Sequence, residues 1–298
     1  MQNIKLVCGL FGLENLFQND IRSYIDIAKM AEDLGFDAVS VTDHVVMGKN
    51  LDKYPFGKFP LPSQAPWYEP LAVLNMIGSH TSTIKLATAV LITPLRNPAL
   101  LAKTIATIDV ISSGRLELGV GLGWQKEEYE ASGVDFDIRE ELFWETLEIL
   151  QKLWSDEPAS HHGKHFHFND IWCNPKPIQG KEIPLLFGMK MTTSNAAKIA
   201  AIGHGWIPIK TSRDFIETGR SLLTQAFSGT NKEPRIRGQL PTILNDQGYP
   251  DIQATLKEFE RSYESGLKEI EFFPINFVQD PTNLKSILKE IARIKGNR

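Results

Sequence analysis

A carboxylate and an imidazole stand side by side in Thr42-Asp43-His44, directly after a short apolar run that predicts a β-strand. Histidine exchanges protons near neutral pH, and a carboxylate beside it can select its tautomer. Neighbouring residues of a strand point to opposite sides, so Asp43 either contacts a ligand or caps the following loop. The pair predicts a proton-transfer site with His44 as proton donor or acceptor. The structural alternative is that both side chains satisfy backbone groups at a strand end.

Three alternate glycines, Gly119, Gly121 and Gly123, end another predicted strand, and Trp124 follows them. Glycines at this spacing remove side chains from the strand end, so that backbone N–H groups can approach a flat or anionic ligand. The run lacks the full six-residue glycine fingerprint of dinucleotide-binding proteins. It therefore indicates a ligand at this strand end without identifying it.

A glycine turn, a lysine and several hydroxyl groups lie in Gly188-Met189-Lys190 and the residues up to Asn195, just before a predicted helix. The N-terminus of a helix presents unpaired N–H groups and the positive end of the dipole, which suits a phosphate group. The segment predicts a phosphate-binding loop. Simple capping of the helix by Thr193 or Ser194 is the alternative.

Other residues allow further interpretations. The four histidines between 161 and 167 suggest zinc, but no Cys, Asp or Glu has matching spacing nearby, which favours a solvated hairpin and no metal site. Lys210 follows a predicted strand, where a barrel aldolase could use a Schiff-base lysine. Some aromatic side chains could stack on a ligand or pack in the core, namely Trp67, Tyr68 and Trp124.

Short apolar runs alternate with longer segments of helical periodicity almost throughout the chain. The predicted strands cover residues 4–10, 36–41, 84–92, 115–120, 183–187, 205–209, 235–244 and 267–273. The predicted helices cover residues 21–34, 71–81, 98–112, 139–154, 194–202, 215–227, 252–265 and 283–294. Eight strand–helix units in 298 residues predict an α/β fold, a TIM (β/α)8 barrel, with a doubly wound open sheet as the alternative.

Two insertions interrupt this alternation within what we predict to be a single domain over residues 1–298. The first, residues 45–66 after strand 2, is rich in Pro and Gly and carries Tyr54, Phe56 and Phe59. Unstructured loops of this length are usually functional, so we predict a lid. The second, residues 157–180 after helix 4, predicts a hairpin excursion.

The composition indicates which classes of partner and which cellular compartment to expect. The formal charge of −4 and the scattered lysines and arginines give no reason to expect nucleic acid or a membrane as partner. The two cysteines, Cys8 and Cys173, have no metal or redox spacing, which is typical of a reducing cytoplasm. No signal segment or membrane-spanning apolar run is evident. We therefore expect a soluble cytoplasmic protein with a small-molecule substrate.

Chemistry in a barrel lies where the strands end, and short motifs at and beside these ends form an ordered series. The motifs lie at residues 31–37, 42–44, 88–91, 96–98, 100–103, 112–115, 119–124, 175–179 and 205–208. In this order and spacing the chain resembles the bacterial-luciferase-like flavin and deazaflavin oxidoreductases, most of all the coenzyme F420-dependent branch. The resemblance extends to about residue 210, is only architectural beyond it, and implies a TIM barrel with the cofactor ring in its mouth.

The resemblance implies roles for individual positions. Strand 3 should bulge at Thr88, Ala89 and Val90, with a non-prolyl cis bond between Ala89 and Val90 that backs the ring. Asp43 would contact the ring system, and His44 would supply or accept a proton beside it. The other positions expected at the cofactor are Gly119, Gly121 and Gly123, with Gly188, Met189 and Lys190 at its phosphate.

One further position adds a catalytic candidate to this resemblance, and two others depart from the family pattern. Glu14 lies near a position where some F420-dependent relatives keep a catalytic glutamate, which makes it a second catalytic candidate. Many relatives have paired glycines where this chain has Gly188-Met189. They also have an Asp before the Gly-Trp motif, where this chain has His204.

The cofactor implied is F420, with FMN as the alternative. An F420-dependent enzyme would transfer hydride between the deazaflavin and an organic small molecule, with His44 moving the proton. The alternatives are an FMN-dependent two-component monooxygenase that uses reduced flavin and O2, and a cofactor-binding protein without catalysis. A flavin or F420 reductase and a second copy in a homodimer are the expected protein partners. Basic side chains available for the anionic F420 tail are Lys49, Lys53, Lys58, Arg96, Lys190 and Lys210.

Overall fold

Eight parallel strands close into a barrel in this computed structural model, which describes residues 4–55, 57–59, 61–264 and 267–296. Phe56 of the predicted lid and Ser265 at a predicted helix end therefore lie outside the described residues. Around the barrel the strands run in the order Lys5–Gly9 (β1), Glu269–Phe272 (β10), Arg235–Gln239 (β9), Gly205–Trp206 (β8), Leu185–Gly188 (β7), Leu116–Gly121 (β4), Lys85–Ile92 (β3) and Ala38–Val41 (β2). The TIM barrel is confirmed, and the open doubly wound sheet is wrong.

The strands are β1 Lys5–Gly9, β2 Ala38–Val41, β3 Lys85–Ile92, β4 Leu116–Gly121, β5 Ala159–His162, β6 His167–Ile171, β7 Leu185–Gly188, β8 Gly205–Trp206, β9 Arg235–Gln239 and β10 Glu269–Phe272. The α-helices are α1 Ser23–Asp33, α2 Pro70–Gly78, α3 Pro98–Ile111, α4 Lys126–Ala131, α5 Arg139–Ser155, α6 Thr193–Ile202, α7 Arg213–Phe227, α8 Ile252–Glu264 and α9 Pro281–Ala292. None of the described helices is long and apolar enough to cross a membrane.

Most element boundaries follow local signals. Helix α3 begins at Pro98, as predicted, because the Asn97 side chain accepts hydrogen bonds from the N–H groups of Ala99 and Leu100. Helix α4 was not predicted, since its six residues carry too few apolar positions to show a helical period. Strand β8 is only two residues long, shorter than predicted, although both residues are buried.

The second insertion is a hairpin, as predicted. Strands β5 and β6 pair antiparallel, with His162 opposite His167. His161 is buried and lies 3.1 Å from the Glu145 carboxylate through Nε2. Within the described ranges, no group of three or more His, Cys, Asp and Glu side chains is placed to hold a metal ion. Two of the histidines, His161 and His165, hold the hairpin onto helix α5 through Glu145 and Glu141.

Strand β3 is irregular where the resemblance places a bulge. Its register against β4 shifts between Thr88 and Leu91, and the peptide bond between Ala89 and Val90 is cis. Both expectations are confirmed. From Leu86 onward the strand is buried except at Ala89 and Val90, which are partly exposed. The bulge thus presents a small apolar surface.

Charged side chains fill the opposite end of the barrel, where the strands begin. Glu117 accepts hydrogen bonds from Lys85 at 2.8 Å, from Arg235 at 2.8 Å and from Arg237. Burial raises the pKa of Glu117, but the three cations outweigh burial and hold that pKa far below its ordinary value. Glu269 joins the same cluster through Arg235. In TIM barrels this end contributes stability rather than catalysis.

Candidate active site

The predicted site residues lie along neighbouring strand ends on one rim. Strands β1, β2, β3, β4 and β7 are consecutive in the barrel, and Glu14, Asp43, Val90, Gly121 and Gly188 lie at or just beyond their carboxyl ends. Gly121 is in register with Gly188 of β7 and with Ile92 of β3. The closed barrel therefore brings these separate motifs to one edge, where TIM barrels carry their chemistry.

His44 is bound to a carboxylate that was not identified from the sequence. Its Nδ1 lies 3.1 Å from Oε2 of Glu128, and Glu128 Oε1 accepts the backbone N–H of Val45 at 2.6 Å. Both side chains are buried. The expected carboxylate partner, Asp43, does not contact the imidazole, because adjacent residues of an extended chain point apart. A carboxylate on Nδ1 selects the Nδ1–H tautomer of the neutral ring and leaves Nε2 as a proton acceptor.

Aromatic rings enclose the imidazole on its other sides. The His44 ring packs edge-on against Trp67 at 4.6 Å, Phe59 at 6.0 Å and Trp124 at 6.3 Å between centroids. Phe11 stacks on Trp67 at 4.7 Å, and Tyr54 contacts both Phe59 and Trp124. We call these five residues, Phe11, Tyr54, Phe59, Trp67 and Trp124, the aromatic chamber. Nε2 of His44 has no hydrogen-bond partner among the residues that the structure describes.

Asp43 forms a buried ion pair with Arg96 at the rim of the barrel. Its carboxylate accepts two hydrogen bonds from Arg96, at 2.6 and 2.9 Å, and the backbone N–H of Ile92 at 2.8 Å. Burial lowers the pKa of the Arg96 guanidinium, but the bonds and charges of Asp43 and Glu69 outweigh burial and raise it. Arg96 is thus engaged by two carboxylates rather than free for an anionic tail. Contact of Asp43 with a cofactor stays a prediction.

Val90 lies between two of the predicted cofactor glycines. A Cβ on Gly121 would come within 2.6 Å of Val90 Cγ2, and one on Gly188 within 2.8 Å of Val90 Cγ1. Glycine at both positions therefore lets the β3 bulge pack against β4 and β7. Gly119 has a similar explanation, since a Cβ there would collide with the Thr88 carbonyl and with Ile207.

Thr88 and Gly123 also have visible structural tasks. Thr88 is buried and its hydroxyl donates to the Gly119 carbonyl at 2.7 Å, so it joins β3 to β4 beside the bulge. Gly123 has a φ of +67°, in the left-handed region that favours glycine. It turns the chain from β4 toward Trp124 and the chamber. A role of either residue at a cofactor remains predicted.

The segment after β7 folds on its own hydrogen bonds. Met189 is buried, and its carbonyl accepts the indole N–H of Trp206 at 2.8 Å. Lys190 is exposed, and its carbonyl accepts from Asn195 Nδ2 at 3.0 Å. The cap of α6 is Thr192, which accepts the Asn195 N–H at 3.1 Å, rather than Thr193 or Ser194. The first N–H groups of α6 beside Lys190 retain the arrangement that suits a phosphate.

Glu14 is buried beyond β1, in a short 3-10 helix that runs from Leu13 to Phe17. It accepts a hydrogen bond from the Tyr24 hydroxyl. Burial and this bond raise the pKa of Tyr24 well above its ordinary value, so Tyr24 stays a neutral donor. No described hydrogen bond or ring contact joins Glu14 to His44 or the chamber. A catalytic role for Glu14 stays a prediction.

The first insertion covers the site as a lid. Gly48 N–H donates to Gln125 Oε1 at 2.7 Å, Asn50 donates to Glu127, and the Gly48 carbonyl accepts from Ser63 at 2.9 Å. These bonds attach the start of the lid to the turn before α4 and to its first residues. Because Phe59 of this insertion packs against His44, that side chain is only 8% exposed although it lies in a loop region.

Two residues of the site were not identified from the sequence, because each follows a different strand from the one that leads to His44. Glu128 and Phe11 contact the His44 environment from other strand ends, and Glu128 lies 84 residues from His44. Local signals were present, because Glu128 follows the three glycines and Phe11 follows β1. Only the closed barrel identifies the partner of each.

Comparison with known proteins identifies the family. The sequence model of the luciferase-like monooxygenase family matches residues 10–290 of this chain. The chain belongs to this family. Its members are F420- or FMN-dependent oxidoreductases, and the predicted resemblance is confirmed.

Two sequence relatives and one solved structure illustrate the family's range. A Mycobacterium tuberculosis protein of uncharacterized function is 33% identical over 250 residues, covering 82% of this chain and 84% of the relative. The F420-dependent glucose-6-phosphate dehydrogenase of Kineococcus radiotolerans is 29% identical, covering 74% and 61%. The oxygenating constituent of 3,6-diketocamphane monooxygenase from Pseudomonas putida, solved with FMN, superposes with a TM-score of 0.77 at 13% identity, covering 100% and 99%. The last likeness concerns the fold alone.

The rim of this luciferase-like barrel fits a flat ring system. Ala89 and Val90 are partly exposed at the bulge, while the adjacent ends of β4 and β7 carry glycine instead of a side chain. The His44 imidazole follows the neighbouring strand β2, and the first insertion begins directly after it. The residues that would hold a cofactor ring are therefore those of the bulge, with the start of α6 and Lys190 at its phosphate.

Proposed function

We propose that this luciferase-like protein is an F420-dependent oxidoreductase that transfers hydride between the deazaflavin and an organic small molecule. The observation that carries the proposal is the buried His44, bound by Glu128 at Nδ1 and unpaired at Nε2. Hydride transfer to or from a carbon is accompanied by proton transfer at a neighbouring atom, which requires such a group. The F420-dependent relative of Kineococcus radiotolerans supports the choice of cofactor.

In this proposal bound F420 supplies or takes up the hydride, and the chain positions the substrate and moves the proton. Nε2 of His44 receives the proton of a substrate hydroxyl in oxidation and returns it in reduction. Glu128 holds the ring in the required tautomer and stabilises the imidazolium.

The lid and the ion pair below it organise the site. Phe59 and Tyr54 of the lid, with Trp67 and Trp124, exclude water from His44, which strengthens the His44–Glu128 interaction. Asp43 and Arg96 fix the end of β3, and through it the bulge on which the ring would rest.

FMN-dependent monooxygenation is the second candidate, favoured by the match in fold to the FMN-bound Pseudomonas putida protein. In that case a partner reductase would deliver reduced flavin. Direct binding separates the two cofactors.

The decisive experiment is titration of the purified protein with F420 and with FMN, followed by absorbance and fluorescence. We expect saturable F420 binding and weak or absent FMN binding. Tight FMN binding with oxygen consumption in the presence of reduced FMN would replace the proposal by the second candidate. Binding of F420 without turnover of any substrate in a broad panel would leave a cofactor-binding protein.

A His44→Asn variant tests the proton transfer separately. Turnover should fall by about 100-fold or more, the range of general acid–base catalysis, while the F420 dissociation constant stays within about two-fold. His80→Asn is the matched control, since His80 lies exposed at the end of α2. Wild-type turnover in His44→Asn would remove the imidazole from the mechanism.

We also propose a homodimer, with a flavin or F420 reductase as a separate partner. Three apolar side chains of α3, Leu100, Val110 and Ile111, are exposed, and Leu100 is exposed to 67%. Exposed apolar surface on one helix is typical of subunit contacts. Sedimentation of wild type and a Leu100→Glu variant tests it, since a dimer through α3 should dissociate in the variant and a monomeric wild type contradicts it.

A further inference from the structure

Phe59 stands at the centre of the aromatic chamber. Its ring centroid lies 5.1 Å from Tyr54, 5.4 Å from Trp124, 6.0 Å from His44 and 6.2 Å from Trp67. Phe59 belongs to the lid, yet its side chain is buried. A loop thus places an apolar ring edge-on against the His44 imidazole, beside the group that would move the proton.

Two donors of the same chamber have no partner. The indole N–H groups of Trp67 and Trp124 are buried and find no acceptor in the described part of the chain. The indoles of Trp154 and Trp206, in contrast, donate to backbone carbonyls at 3.2 and 2.8 Å. A buried donor without an acceptor is destabilising, and the Phe59 ring cannot accept a conventional hydrogen bond. An oxygen acceptor bound among these rings would satisfy such a donor.

No lysine or arginine among the described residues contacts a ring of the chamber, since the two cation–π contacts involve Phe136 and Trp144. The lid lysines Lys49, Lys53 and Lys58 are exposed. Arg96 is bound by Asp43 and Glu69, as described above. A phosphate or carboxylate buried here would lack the paired charge that burial requires.

We infer that Phe59 is a plug that stands in for the ring of the substrate, and that the substrate is an uncharged planar ring compound with a carbonyl oxygen. The substrate would displace Phe59 as the lid moves, stack between the tryptophans and accept hydrogen bonds from Trp67 and Trp124. Reduction or oxidation of this compound rests on the proposed function, whereas its binding does not. The class differs from the sugar phosphate for which the Kineococcus radiotolerans relative is named.

The test uses the full chain, labelled with 15N in its six tryptophans, and three matched probes. Benzaldehyde should shift the indole signals of Trp67 and Trp124 downfield and leave those of Trp154 and Trp206 in place. Toluene, which has no acceptor, should bind about ten-fold more weakly, because two hydrogen bonds are lost. Benzoate should not bind. Unshifted Trp67 and Trp124 signals, or benzoate binding as tight as benzaldehyde binding, would overturn the inference.

Substitutions distinguish the role of Phe59, which the substrate would displace, from that of Trp67 and Trp124, which would bind the substrate. Phe59→Ala should bind benzaldehyde roughly ten-fold more tightly, because the probe no longer competes with the ring, and Phe59→Leu should show a smaller gain. Trp67→Phe and Trp124→Phe should each weaken binding by about three- to ten-fold. The control is Trp144→Phe, which also removes a buried unpaired N–H but packs on Phe187, outside the chamber. If neither Phe59 variant binds benzaldehyde more tightly than wild type, Phe59 is a wall and the plug is refuted.

Parallel titrations with F420 and glucose 6-phosphate keep this inference distinct from the proposed function. Benzaldehyde shifts without F420 binding would support the chamber and remove the proposed cofactor. F420 binding, together with indole shifts caused by glucose 6-phosphate, would support the cofactor and overturn the substrate class.

Discussion

Glu128 binds the imidazole of His44 with one carboxylate oxygen, and with the other it binds the next backbone N–H, that of Val45. One side chain of helix α4 therefore holds both the proposed proton carrier and the first residue of the lid. The arrangement links the orientation of the ring to the closure of the site.

Glu128→Gln should separate these two roles. The amide oxygen can still accept the Val45 N–H, but the amide NH2 group then faces Nδ1 and favours the tautomer with a proton on Nε2. A neutral ring in that tautomer cannot receive a proton from a substrate. We expect turnover to fall by about 100-fold or more, in the range of other tautomer-selecting carboxylates, with little change in thermal stability. The measurement is kcat between pH 5 and 9 with F420.

The control for this variant is Glu130→Gln on the same helix, which alters only an exposed pair with Lys126. Its turnover should equal that of wild type. If Glu128→Gln turns over at the wild-type rate as well, the carboxylate merely anchors the lid.

Arg96→Met should destabilise the barrel, because it leaves the buried Asp43 carboxylate without its bidentate partner. Breaking a buried ion pair costs about 3–5 kcal/mol in the free energy of unfolding. Urea denaturation measures it, and the double variant with Asp43→Asn should recover part of the loss. Glu69→Gln, which touches the exposed side of Arg96, should cost about 1 kcal/mol or less. Additive effects of Arg96→Met and Asp43→Asn would contradict the pairing.

His204 predicts a pH dependence of stability. Its Nδ1 accepts the Leu185 N–H at 3.2 Å, and burial, followed by the charge of Lys232, lowers its pKa below 6.5. The unfolded chain therefore binds a proton more readily, so this contribution is fully present above pH 6.5 and is lost as the pH falls through and below that value.

His204→Asn tests that dependence, since its amide oxygen can accept the same N–H at every pH. The fall in the free energy of unfolding between pH 7.5 and 5.5 should be smaller in the variant. An equal fall in both proteins would assign the pH dependence to other groups.

Glu117→Gln should weaken the charged end of the barrel by about 3–5 kcal/mol at pH 7, because it leaves buried cations without a full counter-charge. The folded-state pKa of Glu117 is depressed, so its contribution is present above the unfolded value of about 4.5 and is lost as the pH falls below it. The variant should thus lose less stability than wild type on acidification. Chemical denaturation at pH 7 and 4 measures both effects, with the surface variant Glu217→Gln expected to change little.

Gly48→Ala should loosen the lid. A Cβ at Gly48 would lie 2.8 Å from the Cβ of Glu127, so the lid must shift away from α4. We expect faster chymotrypsin cleavage within residues 45–66 and a several-fold higher KM, because closure orders the site. Gly229→Ala meets no atom within 4 Å and serves as the control. Unchanged cleavage would show that the lid absorbs the methyl group without moving.

Much of the architecture was predictable from local patterns. Apolar runs of strand length alternate with helical periods, so seven of the predicted strands survive with shifted ends, and β8 survives in shortened form. Pro98 and Asn97 define a helix start by their own chemistry. Strand β8 ends before the predicted residue 209, since Pro208 cannot donate a ladder hydrogen bond. The short helix α4 was missed because six residues give no helical period.

The sequence by itself determined the barrel, the family and the candidates Asp43 and His44, because periodicity and motif order are properties of neighbouring residues. Only the tertiary structure decided the partners: Glu128 rather than Asp43 on the imidazole, Arg96 on Asp43, and Phe59 within the chamber. The physical reason is that a closed barrel brings together strand ends that are distant in sequence, such as those that carry His44 and Glu128, which are 84 residues apart. Which side chains then meet depends on register and on the path of each loop, and neither is encoded by local spacing.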